Sequence, residues 1–283
     1  MLRAIGKLFK WIFTFVLILV LIGVLCVGYA HFIEPNRLTV KETQDTSYSM
    51  KEPITIAVFA DTHFGFQYDT DMFQKVVDKV NENPPDILLF AGDLIDNLNQ
   101  YSGDISEISK KLSMMKANLG KYAVFGNHDY GGGAEYKYET IMNQGGFKVL
   151  VNETVTFRKK NLRLIGIDDL LIGYGDPSVV NRADASMYNL VLCHEPDIID
   201  NILNSNTDYM VAGHTHGGQI RIPFYTEQFL PSYGEKYVKG KYELKNKNQT
   251  VLYVNSGLGT TKIPARLGAV PELTYITISP GNS

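Results

Sequence analysis

Cysteine is scarce in this chain, and the two present are badly placed to meet. Cys26 lies inside an apolar N-terminal stretch and Cys193 in a strand-like run far downstream, so no structural disulfide is expected. A basic surplus is also missing. The 27 Lys and Arg face 30 Asp and Glu, a formal net charge of −3, which argues against a general nucleic-acid binder. No internal repeat and no low-complexity tract breaks the sequence. Its 45% apolar and 11% aromatic content is ordinary for a folded domain, and 283 residues suffice for one large domain with a substantial core.

What the sequence does have is one long apolar run. Arg3, Lys7 and Lys10 lead into residues 11–30, which carry no charge. Twenty residues cross a bilayer as a helix at roughly 1.5 Å each. A cleaved signal peptide has an apolar core of about 7–15 residues, so length favours an anchor, although Gly28-Tyr29-Ala30 offers a tolerable cleavage site. Leu25 stands where lipoprotein processing ahead of Cys26 needs a small residue, which argues against a lipid anchor. Basic residues before the span place the N-terminus in the cytoplasm and the rest of the chain outside a single-pass membrane segment.

Residues 31–52 are polar and weakly patterned and read as a linker, with the folded domain over 53–283. From Ile54 a rhythm sets in of short apolar run, polar loop and helix-like stretch. Strands are expected at 54–60, 87–91, 122–125, 162–167, 190–193, 209–212, 251–254 and 273–278, and helices at 71–80 and 105–117. The alternation predicts an α/β layered fold. Residues 221–248, rich in Tyr, Lys and Gly, interrupt it and read as a functional or a variable surface loop.

Polar residues suited to metals follow these strands, where α/β sheets commonly place their sites. Asp61-Thr62-His63 follows the first and Gly92-Asp93-Leu94-Ile95-Asp96 the second. Gly126-Asn127-His128-Asp129 follows the third, His194-Glu195 a later one, and Gly213-His214-Thr215-His216-Gly217-Gly218 the next. Each motif alone is weak. Together they hold five of the six histidines, leaving only His31 outside, and scattered core histidines would not collect after strands in this way. Carboxylate, imidazole and amide oxygen suit borderline divalent ions such as Mn, Fe or Zn. A carboxylate shared by two ions about 3.5–4 Å apart suits in-line displacement at phosphorus.

The ordered series over residues 54–278 resembles the calcineurin-like metallophosphoesterase signature. The block Gly213-His214-Thr215-His216-Gly217-Gly218-Gln219, with Pro264-Ala265-Arg266 and Pro271-Glu272, resembles a membrane-associated bacterial branch of that family. That branch includes phosphodiesterases and relatives that cleave the pyrophosphate of UDP-diacylglucosamine. The resemblance implies two divalent ions. Asp61, His63 and His216 would hold one, Asn127, His194 and His214 the other, and Asp93 would bridge them. His128 would contact the phosphate and protonate the leaving group, with Asp96 orienting it. Asp129 reads as structural, Asp168-Asp169 as a solvated turn in preference to a pair supporting the metal ligands from behind, and Arg266 equally as a substrate contact or a surface charge.

The resemblance further implies a four-layer sandwich of two mixed β-sheets flanked by helices. It implies hydrolysis by a hydroxide that bridges the ions. The expected substrate is a phosphodiester or pyrophosphate in an envelope or lipid-linked molecule. A broad-specificity phosphomonoesterase shares every ligand. A non-catalytic metal-stabilised scaffold is the third possibility, and the intact ligand set with His128 weighs against it.

Overall fold

The computed structural model describes residues 2–281. Helix α1 (Leu2–Gly28) begins with Arg3, Lys7 and Lys10, is apolar from Trp11 onward and stands off the domain, with a mean hydropathy of 2.8 in its most apolar window and none of that window buried. It is the kind of helix that spans a membrane or acts as a signal sequence. Two short helical turns, Tyr29–Ile33 and Glu34–Asn36, lead from it into the folded domain.

Two six-stranded mixed sheets make up the domain. The first contains β1 (Thr39–Ser47), β2 (Ile54–Phe59), β3 (Ile87–Phe90), β4 (Gly120–Ala123), β5 (Phe147–Val149) and β12 (Glu272–Pro280), in the order β1-β12-β2-β3-β4-β5. The second contains β6 (Glu153–Phe157), β7 (Leu162–Gly166), β8 (Tyr188–Leu192), β9 (Tyr209–Ala212), β10 (Gly240–Glu243) and β11 (Val251–Val254), in the order β10-β11-β9-β8-β7-β6. The segments β2 through β5 run parallel to one another, as do β7, β8, β9 and β11.

Strand periodicity explains the layering. In β2, Ile54, Ile56 and Val58 point into the core between the sheets, while Ala57 and Phe59 point to the outer helices. Leu190 and Leu192 of β8 enter the same inter-sheet core, and Val191 faces the other way. Both faces are buried, so these strands read as continuous apolar runs. Helices α2 (Thr70–Glu82), α3 (Ile105–Met114) and α5 (Glu135–Gln144) cover the first sheet. Asp69 starts α2 by accepting from Met72 N at 2.8 Å, and Phe73, Val76, Val77 and Val80 form its buried stripe. Asp104 caps α3 in the same way through Ser106 N. The second sheet's outer face is covered more thinly, by the single turn α6 (Ile199–Ile202) and short helical turns.

Residues 31–52 are not a linker. Within them β1 pairs with β12 in parallel over nine residues, and Glu34 is buried with its Oε1 accepting from Ala269 N at 2.7 Å. The strand has a polar sequence because it is an edge with one face to solvent, so no apolar pattern marks it. A cut at residue 52 would strip β12 of that neighbour. The edge strand β10 is marked as weakly, and β5 is only three residues long. Expected strand 122–125 begins earlier, at Gly120, and Val124 and Phe125 continue past its end as buried loop.

Candidate metal centre

The parallel strands of both sheets end at one edge. From the first sheet, β2 delivers Asp61 and His63, β3 delivers Asp93 and Asp96, and β4 delivers Asn127 and His128, the first residues of α4 (Asn127–Gly131). From the second, β8 delivers His194, and β9 delivers His214 and His216. Five of these residues have left-handed backbone: Asp61 (φ 51°), His63 (44°), Asp93 (62°), His214 (73°) and His216 (52°). Strain of this kind persists where surrounding structure over-determines it, and it collects at functional sites. Gly92 makes the turn possible. At φ 89°, a Cβ there would lie 2.6 Å from Gly126 N and 2.7 Å from His194 Nδ1.

Two fully buried compact groups result, and a third, of His63, Asp93 and His128, lies across them. Oxygen and nitrogen atoms of Asp61, His63 and His216 lie within 4.8 Å of one another, as do those of Asp93, His194 and His214. Asp93 joins the groups, its Oδ2 being 3.4 Å from His63 Nε2 and 3.2 Å from His194 Nε2. All six side chains are buried.

Each imidazole is held by its outer nitrogen. His63 Nδ1 meets Asp96 Oδ1 at 3.0 Å, His194 Nδ1 donates to Ala91 O at 2.6 Å, and His214 Nε2 donates to Ser232 O at 2.9 Å. His216 Nδ1 lies 3.3 Å from Gly259 O. These contacts place a proton on the outer nitrogens of His63, His194 and His214, while His216 Nδ1 also lies 3.3 Å from Arg266 Nη2, and the inner ring nitrogens face one another. His216 Nε2 and His63 Nε2 are 3.0 Å apart, and His214 Nδ1 and His194 Nε2 are 3.1 Å apart. Two ring nitrogens so close repel unless a cation or proton lies between them. Asn127 Oδ1 is also buried with no hydrogen-bond partner, an acceptor without a donor. Both observations fit a divalent pair.

Protons take part of the load in the metal-free centre. Burial opposes a charge on His63, but the hydrogen bonds it donates to Asp93 and Asp96 outweigh it and hold the ring up at about 9. Burial likewise opposes ionisation of Asp93, and the His194 and His63 cations nevertheless keep it well below the usual carboxylate range. Burial pushes Asp61 up to about 6. Burial, helped by the His194 charge, drives His214 down to about 3, and burial with His63 and Arg266 depresses His216.

Of the other candidates, Asp129 fits its expected structural part, and Asp96, Arg266 and Asp168-Asp169 depart from theirs. The Asp96 carboxylate sits on His63. His128 Nδ1 instead donates to the Asp96 backbone carbonyl at 2.8 Å, while the carboxylate is 3.6 Å away. The His128 ring is part-exposed and lies near His63 and Asp93. Arg266 is neither a surface charge nor an open substrate contact. It is fully buried, and its guanidinium donates to the carbonyls of Gly259, Ser256 and Ala269. Asp168 and Asp169 are buried too, tied to Tyr130 and to the backbone of 172–174. Asp129 braces the centre by accepting from Asp93 N, Leu94 N and Gly126 N, each at 2.9 Å.

Sequence reasoning passed over the loop after β11. There Gly259 O faces His216, and Thr261 Oγ1 donates to Asp96 Oδ1 at 3.2 Å. The only signal for it is the run Asn255-Ser256-Gly257-Leu258-Gly259-Thr260-Thr261, small residues directly after an apolar strand.

This fold and centre define a metal-dependent phosphoester hydrolase, and the chain belongs to the calcineurin-like phosphoesterases, whose family model matches residues 54–218. Members of the family use two divalent metals. The chain is 33% identical over 264 residues to the uncharacterized metallophosphoesterase YkuE of Bacillus subtilis, covering 90% of each. It is 30% identical over 257 residues to the phosphodiesterase YaeI of Escherichia coli, covering 89% of this chain and 92% of that one.

Proposed function

We propose that this chain hydrolyses a phosphodiester or pyrophosphate bond in an envelope or lipid-linked substrate, from a domain held outside the membrane by α1. The N-terminus would lie in the cytoplasm. In this reading Asp61, His63 and His216 hold one ion, Asn127, His194 and His214 the other, and Asp93 both. The observation that carries the assignment is the facing of inner imidazole nitrogens at 3.0 and 3.1 Å. The unpartnered Asn127 oxygen supports it. The Escherichia coli relative's activity supports a diester. A lipid-linked substrate is supported by the apolar α1, which joins the domain at the edge where the candidate ligands lie.

Two divalent ions there would lower the pKa of a water and screen charge on the phosphoryl oxygens. The protein's own part is positional. Asp96 fixes the His63 tautomer, Ala91 and Ser232 carbonyls fix His194 and His214, and Asp129 holds the Asp93 loop through backbone amides. His128, anchored through Nδ1, keeps Nε2 available to deliver a proton to the leaving oxygen.

The test is turnover by the full chain of bis(nitrophenyl) phosphate against nitrophenyl phosphate, across Mn, Fe, Zn and Co. Preference for the diester in at least one metal is expected. Equal or faster monoester turnover in every metal would replace the diester reading with a phosphomonoesterase. No turnover in any metal would leave a binding scaffold.

A further inference from the structure

The route of the chain between α1 and the metal edge carries a consequence for how the domain meets a membrane. β2 ends at that edge. β12 runs antiparallel to it, with Thr274 opposite Val58, and so begins there. β1 runs parallel to β12, with Thr39 opposite Glu272, and also begins there. α1, which precedes β1, therefore leaves the domain from the same edge that gathers the candidate ligands.

Beside the helix exit lie two segments stitched to it in series. Arg266 N donates to Ala30 O at 2.9 Å, and His31 Nδ1 meets Pro264 O at 2.5 Å. Arg221 N then donates to Leu267 O at 2.8 Å, and Gln219 Nε2 donates to the carbonyls of Thr261 and Ile263 at 2.9 Å. The loop that starts at Gln219 returns to the centre, where Ser232 O holds His214. This layer leaves large apolar side chains in the open. Phe224 is 87% exposed, Phe229 77%, Phe32 70%, Tyr225 59% and Ile263 53%. Arg221 and Lys262, both exposed, flank them.

Soluble surfaces rarely collect so many aromatic and aliphatic side chains, and such a patch marks an interaction site. The occupant follows from continuity: the patch adjoins the point where an apolar helix with no protein cover leaves the domain. Aromatic residues flanked by basic ones suit the boundary between headgroups and acyl chains. We infer that the loop at residues 219–233, with the strap at 261–266, is a second membrane contact that seats the metal edge against the bilayer spanned by α1. This rests on the reading of α1 as a membrane span. It deepens the proposed function, because the phosphates of membrane lipids lie in the plane that this edge would face.

The chain has a single tryptophan, Trp11, within α1, so one reporter can be moved at will. In a Trp11→Phe background, the full chain carrying Phe224→Trp, Phe229→Trp or, as control, Tyr48→Trp is reconstituted into phosphatidylethanolamine–phosphatidylglycerol vesicles with brominated acyl chains. Tyr48 is exposed and follows Ser47, which pairs with Pro280 at the far edge. Blue-shifted emission at 224 and 229, with bromine quenching at least roughly twofold that at 48, is expected of side chains in the boundary region. Quenching no greater than at 48 in a chain that resists carbonate extraction overturns the docking while leaving the span intact. A chain washed off by carbonate overturns the span itself. A blue shift without bromine quenching assigns the patch to a protein partner and also overturns the inference.

Discussion

Of the proposed ligands, the first sheet sends Asp61, Asp93, Asn127 and one imidazole, His63, to the shared edge, whereas the second sends three imidazoles and no carboxylate. Their electrostatics differ accordingly. The first sheet supplies negative charge, with Asp93 held ionised by neighbouring His cations despite burial. In the second, burial leaves His214 and His216 as neutral nitrogen donors, and only His194, beside Asp93, is driven the other way. Neither of the two proposed ligand sets comes from one sheet alone. The centre closes where Ile56 and Val58 of one sheet pack toward Leu190 and Leu192 of the other, so on the proposed ligand sets ion binding and sheet packing would be thermodynamically linked.

The sharpest way to break this comparison is at the side chain that serves both halves. Asp93→Asn is expected to lower turnover at least as far as His63→Ala or His194→Ala, beyond the roughly 10²–10⁴-fold of a lost general acid. Near-normal turnover with full metal content would remove Asp93 from the bridging role. Next comes chelation. If each ion binds only the packed pair of sheets, its removal at a thousand times its dissociation constant should cost about 4 kcal/mol of stability. Calorimetry that finds the same melting temperature with and without metal would uncouple ions from packing.

His128→Ala separates chemistry from binding. Both ions should stay, and turnover should fall about 10²–10⁴-fold, most for alkoxide and least for nitrophenolate leaving groups. Equal losses for both leaving groups would end the general-acid role. Asp96→Asn should part company with it. Because that carboxylate meets His63, its loss should weaken metal affinity about 10–100-fold, with little dependence on the leaving group. An alkoxide-selective loss at unchanged affinity would return Asp96 to His128.

The smallest effect is a titration. In the metal-free protein, the His63 proton stabilises the fold fully below the ordinary imidazole value of 6.5, and its contribution fades as pH rises through about 9. An incoming ion must displace that proton. Metal uptake at pH 7 should therefore release protons, and apparent affinity should climb up to about pH 9. Uptake without proton release would put His63 outside the ligand set.

Much of the candidate centre was legible because its residues sit in five short loops, each following an apolar run that both faces of a buried strand require. Partners seen only across space were not. Nothing in the order of residues tells that the Asp96 carboxylate turns to His63 while its backbone takes His128. Burial of Arg266 was equally hidden, since its acceptors are carbonyls, which every residue has. β1 escaped because an edge strand needs no apolar alternation, and Thr-Val-Lys-Glu-Thr-Gln-Asp-Thr-Ser looks the same whether paired or solvated. Where burial on both faces imposes a pattern, sequence shows it. Where a backbone ladder alone does the work, it does not.

That ladder also sets an order of events during synthesis. β1 is the first strand to leave the ribosome, and its sole partner, β12, is the last. β12 is inserted between β1 and β2, so until it arrives both have an open side and the first sheet stays incomplete. Closing a loop of more than two hundred residues is slow, and that delay is set by topology rather than by local sequence. If α1 is held in a membrane from the outset, as proposed, the nascent β1 would wait at the surface for β12. The domain is finished only when its last strand is threaded beside its first.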